Sequence, residues 1–129
     1  MSWGGTMKCD IINSTGGTIT KVTFSHQWNS GATAPLFNPD QGFADGDTVS
    51  FDITVGEGGA DLWSVQFTDA EGNCWYRTRK QCDVSEDDFN SGKPVKAVLK
   101  AGKVGFSIET PVSDPCPDNY YDSCNETAQ

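Results

Sequence analysis

A chain of 129 residues with 36% hydrophobic residues, 14 glycines and 6 prolines has the size of one domain, and it is too rich in apolar and turn-forming residues to be a disordered segment. Its net charge of −9 opposes approach to phosphate backbones and anionic headgroups, so no nucleic-acid partner is expected. No apolar run is long enough for a transmembrane segment, and Met1-Ser2-Trp3-Gly4-Gly5-Thr6 lacks the regions of a secretory leader. The expectation is a soluble chain, cytoplasmic or exported by a leaderless route.

Along most of the chain apolar residues alternate with polar ones, which is the period of strands that rest one face on a core. A first strand is predicted over residues 6–12 with Met7, Cys9 and Ile11 inward. It ends at Asn13-Ser14-Thr15-Gly16-Gly17, a turn signal at which a hairpin is expected. The return strand, residues 18–28, puts Thr20, Val22, Phe24, His26 and Trp28 on one face, with His26 toward the core or near an edge. From Asn29 to Gly46 the alternation is broken by Gly31, Pro35, Pro39 and Gly42, with Leu36, Phe37 and Phe43 between them. A loop of that length either packs down or carries function.

The alternation returns most sharply in Thr48-Val49-Ser50-Phe51-Asp52-Ile53-Thr54-Val55, directing Val49, Phe51, Ile53 and Val55 inward. A strand over residues 61–69 with Trp63, Val65 and Phe67 on one face runs into the hairpin loop Asp69-Ala70-Glu71-Gly72-Asn73, and its partner strand covers residues 73–79. Ser85 is placed to cap a short helix, with Glu86, Asp87 and Asp88 as solvated acids at its positive end; Gly92 and Pro94 limit it to a turn or two. Strands over residues 95–100 and 103–109 turn at Ala101-Gly102, the second with Val104, Phe106 and Ile108 inward. Residues 1–110 are thus expected to form the β-sandwich domain, and residues 111–129 an acidic, cysteine-bearing tail that wraps its surface or is partly mobile. About seven to nine short strands with at most one short helix define a single-domain, all-β, antiparallel β-sandwich.

Cys74 and Cys82 enclose seven residues, as do Cys116 and Cys124, so two local loops can be closed by disulfides, leaving Cys9 over. Four cysteines allow three pairings, and a reducing compartment would keep them all as thiols. Cys9 shares a strand face with Met7 and Ile11 and reads as a buried core thiol.

One histidine serves the whole chain, and no nucleophile elbow, P-loop or HExxH pattern is present, so the chain is not expected to be an enzyme. His26, between Phe24 and Trp28, reads as a structural histidine in preference to a catalytic one. Oxygen-rich stretches (Asp40, Asp45 and Asp47; Asp114, Asp118, Asn119 and Asp122) are outside the EF-hand register and read as solvated acids, so no metal and no cofactor is expected. The best functional lead is aromatic: rings at strand ends and in the tail can rest in a lipid interface or stack on a sugar. The candidate ligand-binding set is Trp28, His26, Phe37, Trp75, Tyr120 and Tyr121; Trp63 reads as core.

The opening Lys8-Cys9-Asp10-Ile11-Ile12-Asn13-Ser14-Thr15-Gly16-Gly17-Thr18-Ile19 resembles the start of the aegerolysin-like proteins. Asp61-Leu62-Trp63-Ser64-Val65-Gln66-Phe67-Thr68-Asp69 resembles the Trp-containing strand of a related family named for up-regulation in Daf mutants, which the Ser85-Glu86-Asp87-Asp88 segment also fits. The resemblance implies a β-sandwich that recognises membrane lipid and, in some members, acts with a larger pore-forming partner. Of the Trp-rich loops that carry lipid contacts in aegerolysins, Trp28 alone has a counterpart position, and the tail after Pro111 extends past the family core. The functional expectation is therefore a module for neutral or zwitterionic membrane lipid. The alternative is a protein-interaction or inhibitor module whose constrained tail, Cys116 to Cys124, inserts into a protein partner.

Overall fold

Strand alternation is realised as two stacked five-stranded sheets in the computed structural model, which describes residues 3–29, 31–33, 41–101 and 104–124. The strands are β1 (Gly4–Ser14), β2 (Thr20–Trp28), β3 (Gly31–Thr33), β4 (Thr48–Gly56), β5 (Asp61–Thr68), β6 (Cys74–Gln81), β7 (Val95–Lys100), β8 (Phe106–Glu109), β9 (Cys116–Asn119) and β10 (Asp122–Ser123), with one helix, α1 (Glu86–Asn90), among the described residues. One sheet has the order β4-β1-β7-β8-β9 and the other β10-β6-β5-β2-β3. Met7, Cys9, Ile11, Ile53 and Val55 of the first sheet meet Val22, Phe24, Trp63, Val65 and Phe67 of the second in one core. The all-β sandwich class expected from periodicity is the one observed, and Trp63 and Cys9 are fully buried in it. Burial and the charge of Asp10 beside it push the Cys9 thiol upward in pKa, so it stays protonated.

The expected hairpin at Asn13–Gly17 is replaced by a corner between the sheets. β1 pairs antiparallel with β4, from Gly4 opposite Gly56 to Ile12 opposite Thr48, and parallel with β7, from Cys9 opposite Val95 to Ser14 opposite Lys100. Both its edges are occupied, so β2 crosses to the other sheet and pairs with β5 and β3. Buried Asn13 makes the corner: its amide donates to the Phe43 carbonyl (2.7 Å) and the Gly17 carbonyl (2.9 Å), while its Oδ1 accepts from the Thr15 N–H and hydroxyl. The parallel β1–β7 pair also departs from the purely antiparallel sandwich expected.

Three further expectations are corrected. Val104 is not inward; it is exposed, and β8 begins only at Phe106. Asp88 is not a solvated acid, for it has no exposed surface and forms a capping box with Ser85. The tail set apart after residue 110 does not merely wrap the surface: β9 extends the first sheet and β10 the second.

The C-x7-C pairings are also replaced: Cys74 bonds Cys124 and Cys82 bonds Cys116. β6 spans Cys74–Gln81 in extended conformation, which puts Cys74 and Cys82 roughly 25 Å apart at 3.3 Å per residue, far beyond the reach of a disulfide. Each end of β6 is instead stapled to the tail. Among the described residues no helix is long and apolar enough to cross a membrane.

Candidate functional site

The candidate residues divide between the two ends of the sandwich. At one end β2 finishes at Trp28, β4 at Gly56, and β1 begins. Trp28 is half-buried, and its indole N–H donates to the Gly58 carbonyl at 2.8 Å. Its ring lies flush on Gly56, where an added Cβ would stand 2.8 Å from it, so glycine is what lets the ring come down on the strand. Beside it the Glu57 N–H bonds the Trp3 carbonyl, and the Trp3 ring packs on Phe89 of α1 at 5.7 Å.

His26 is not part of that surface. Its Nε2 lies 2.6 Å from Asp61 Oδ1, its ring is 4.4 Å from Trp63, and histidine and aspartate are both sealed from water. The second Asp61 oxygen accepts the Val84 N–H. The pair ties β2 and β5 to the segment after β6, a structural use of a buried polar group. Tyr121 is likewise sealed, packed edge-on against Phe67 at 5.1 Å and stacked on Phe106 at 6.2 Å. The assignment of His26 and Tyr121 to a ligand surface is thus corrected by their burial. Tyr120, 73% exposed, remains on the surface, and Phe37 lies outside the described residues.

Trp75 belongs to the opposite end, where a cavity of about 370 Å³ opens between the β1–β2 corner and the β5–β6 hairpin. Its walls are Thr15, Gly16 and Gly17 on one side and Asp69, Ala70, Glu71 and Asn73 on the other, with Phe67, Trp75 and Ala101 completing it. Trp75 stands opposite Phe67 in the β5–β6 register, so both rings face the same way and Trp75 covers the sandwich end. Asp69 fixes the arrangement. Its Oδ1 accepts the Glu71 and Asn73 backbone N–H groups, and its Oδ2 accepts the Trp75 indole N–H, all at 2.9 Å. Loss of water raises the pKa of this carboxyl, and the donors from Trp75, Asn73 and Glu71 more than reverse that, leaving it below the usual carboxylate range. Reading the hairpin only as a turn missed this role. The available signal was the Asx-turn acid at its start with a tryptophan six residues on.

No protein-family model and no curated protein matches the chain in sequence. Among solved structures it is similar to a protein from Eubacterium rectale determined by NMR. The two are 16% identical over 84% of this chain and 90% of that one, with a TM-score of 0.44. The protein is an all-β, two-sheet sandwich with its aromatic candidates at both ends.

Proposed function

We propose that the protein is a non-enzymatic recognition module for neutral or zwitterionic membrane lipid, resembling the aegerolysin-like proteins, in some of which a larger pore-forming partner completes the activity. The observation that carries this reading is Trp28: a half-buried indole whose N–H is already committed to Gly58, so what it offers outward is ring surface suited to a lipid interface. The net charge of −9 argues for an uncharged or zwitterionic lipid over an anionic one. The burial of the only histidine against Asp61 argues against acid–base catalysis by that histidine. Two disulfides suit work in an oxidising compartment.

Flotation with liposomes over a panel of neutral and zwitterionic lipids, sphingolipids included, tests the proposal. The folded protein is expected to float with at least one of them, and Trp28→Ala is expected to stay folded and lose flotation. Failure to bind any lipid, or a folded Trp28→Ala variant that still floats, overturns it. Exposed Tyr120, between two strands pinned by disulfides, favours a second reading in which a protein partner docks on the tail. Both tail cysteines bond to residues in or next to β6, so that partner would meet a fixed surface and not an inserting loop. Retention of partner binding by Tyr120→Ala would remove this reading.

A further inference from the structure

We infer that the cavity between the β1–β2 corner and the β5–β6 hairpin binds a small organic ammonium cation, free in solution. The site lies at the far end of the sandwich from Trp28, roughly 25 Å along the strands at 3.3 Å per residue, and does not depend on lipid recognition.

Three features define the ligand. The first is aromatic surface. The Trp75 indole N–H is committed to Asp69, so the ring can meet a ligand only through its π-system, and Phe67 closes the cavity next to it. Such surface attracts a cation electrostatically. The second is charge. Asp69 and Glu71 are both carboxylates, and none of the described residues lining the cavity is Lys, Arg or His. Anions are repelled, while a chain of charge −9 raises the local concentration of cations.

The third feature separates a cation from a neutral sugar. A sugar presents lone pairs that need donors, and most backbone, hydroxyl and indole donors among the described lining residues are already taken. The N–H groups of Glu71, Asn73 and Trp75 go to Asp69, the Thr15 hydroxyl to Asn13 Oδ1, and the Gly16 N–H to Asp45. Apart from the Asn73 side-chain amide, what remains is mainly acceptor capacity and π-surface, which suit an alkylated ammonium better than a polyol. The three N–H groups on Asp69 also hold the anionic wall rigid, so little ordering is required on binding. The volume of about 370 Å³ is that of about twelve waters, ample for a choline-sized ion.

The test titrates the intact protein at constant ionic strength with choline and with neohexyl alcohol, its uncharged isostere, following the tryptophan indole N–H signals by NMR. Choline is expected to shift the Trp75 signal saturably, with the isostere at least about tenfold weaker, and to leave the Trp28 signal in place. Glu71→Gln is expected to weaken choline by about twofold to threefold, and Trp75→Leu, followed by isothermal titration calorimetry because it removes the reporting indole, to abolish choline binding. If Trp75→Leu fails to fold, the ratio of choline to its isostere still decides. Equal response to both ligands, a shift at Trp28 in place of Trp75, or no shift overturns the proposal. Tighter binding of phosphocholine than of choline would overturn the free cation as ligand, because an added phosphate should be repelled by Asp69 and Glu71. Liposome flotation is read at Trp28, so failure of either proposal leaves the other standing.

Discussion

The two ends of the sandwich use the same residue type in opposite ways. Trp28 donates its indole N–H to a backbone carbonyl at Gly58 and lies flat on Gly56, whereas Trp75 donates to the Asp69 carboxylate and walls a cavity. The acceptor makes the difference. A carbonyl brings no charge to the N–H of the Trp28 ring, and a carboxylate fixes a negative charge directly on that of Trp75. A tryptophan is therefore not a site in itself; the group that holds its N–H decides what the ring can meet.

The contrast breaks hardest through Asp88, which anchors the Trp28 end indirectly. α1 carries Phe89 against Trp3, and Asp88 ties α1 to the chain after β8 by accepting from the N–H and hydroxyl of Ser85, the N–H and hydroxyl of Ser113, and the Val112 N–H. Asp88→Ala removes the common acceptor of five donors at a part-buried site and is expected to cost about 3–5 kcal/mol in urea unfolding. It should also expose Trp3 while leaving the Trp75 indole signal in place.

The same carboxyl sets an acid limit. Burial raises its pKa, but the donors from Ser85, Ser113 and Val112 outweigh burial and hold it at about 2, against an ordinary value of 3.8. A folded value below the unfolded one means that the stabilisation is present above about pH 4 and is lost as pH falls from there toward 2. About 2 kcal/mol should disappear over that window, and the Asp88→Ala variant should lose that share of the slope. Asp69 is shifted in the same direction and adds to the loss with the same sign.

The disulfides sharpen the comparison because each end has one. Cys74–Cys124 lies beside Trp75, and Cys82–Cys116 at the end of β6 nearer Trp28. Converting either pair to serine is expected to cost about 3–4 kcal/mol by loop-closure entropy across separations of 50 and 34 residues. The stability losses should be similar and the local effects distinct. Loss of Cys74–Cys124 should move the Trp75 indole signal, and loss of Cys82–Cys116 should not.

These contacts also show what could be read from the chain and what could not. Strand faces were legible because a period of two is a local property. Met7, Cys9 and Ile11, then Trp63, Val65 and Phe67, are buried as their spacing requires. Ser85 was legible as a cap for the same reason. Pairing was not local. Asn13–Gly17 has the residues of a hairpin, yet a corner needs the same ones, and the choice was made by β4 and β7 occupying both edges of β1. The cysteine pairing failed likewise, since seven intervening residues close a loop only if they are not a strand. Of the candidate site, Trp28 and Trp75 were legible as strand-end aromatics. Asp69 was not, because its role depends on a cavity completed by Thr15–Gly17 and Ala101, which are remote in sequence.

Removing the rings themselves comes next in size. Trp28→Ala deletes a half-buried indole with one hydrogen bond and is expected to cost about 2 kcal/mol in urea unfolding. It should leave the choline response at Trp75 unchanged. Coupled loss of both signals would mean that the ends are not independent.

The smallest effects come from one methyl group at each end. Gly56 has ordinary backbone geometry, but its Cβ would stand 2.8 Å from the Trp28 ring, backed by strand and unable to give way. Gly56→Ala should therefore act through the ring, displacing it from Gly58 and weakening flotation, at a cost of about 1–2 kcal/mol. Gly16 is the reverse. Nothing lies within 4 Å of an added Cβ, but its φ of +87° is a conformation that alanine resists. Gly16→Ala should cost about 1 kcal/mol, all of it in the corner backbone, and leave Trp28 and flotation untouched. If Gly56→Ala were silent in flotation while Gly16→Ala was not, the lipid-facing end would have to be reassigned to the Trp75 side.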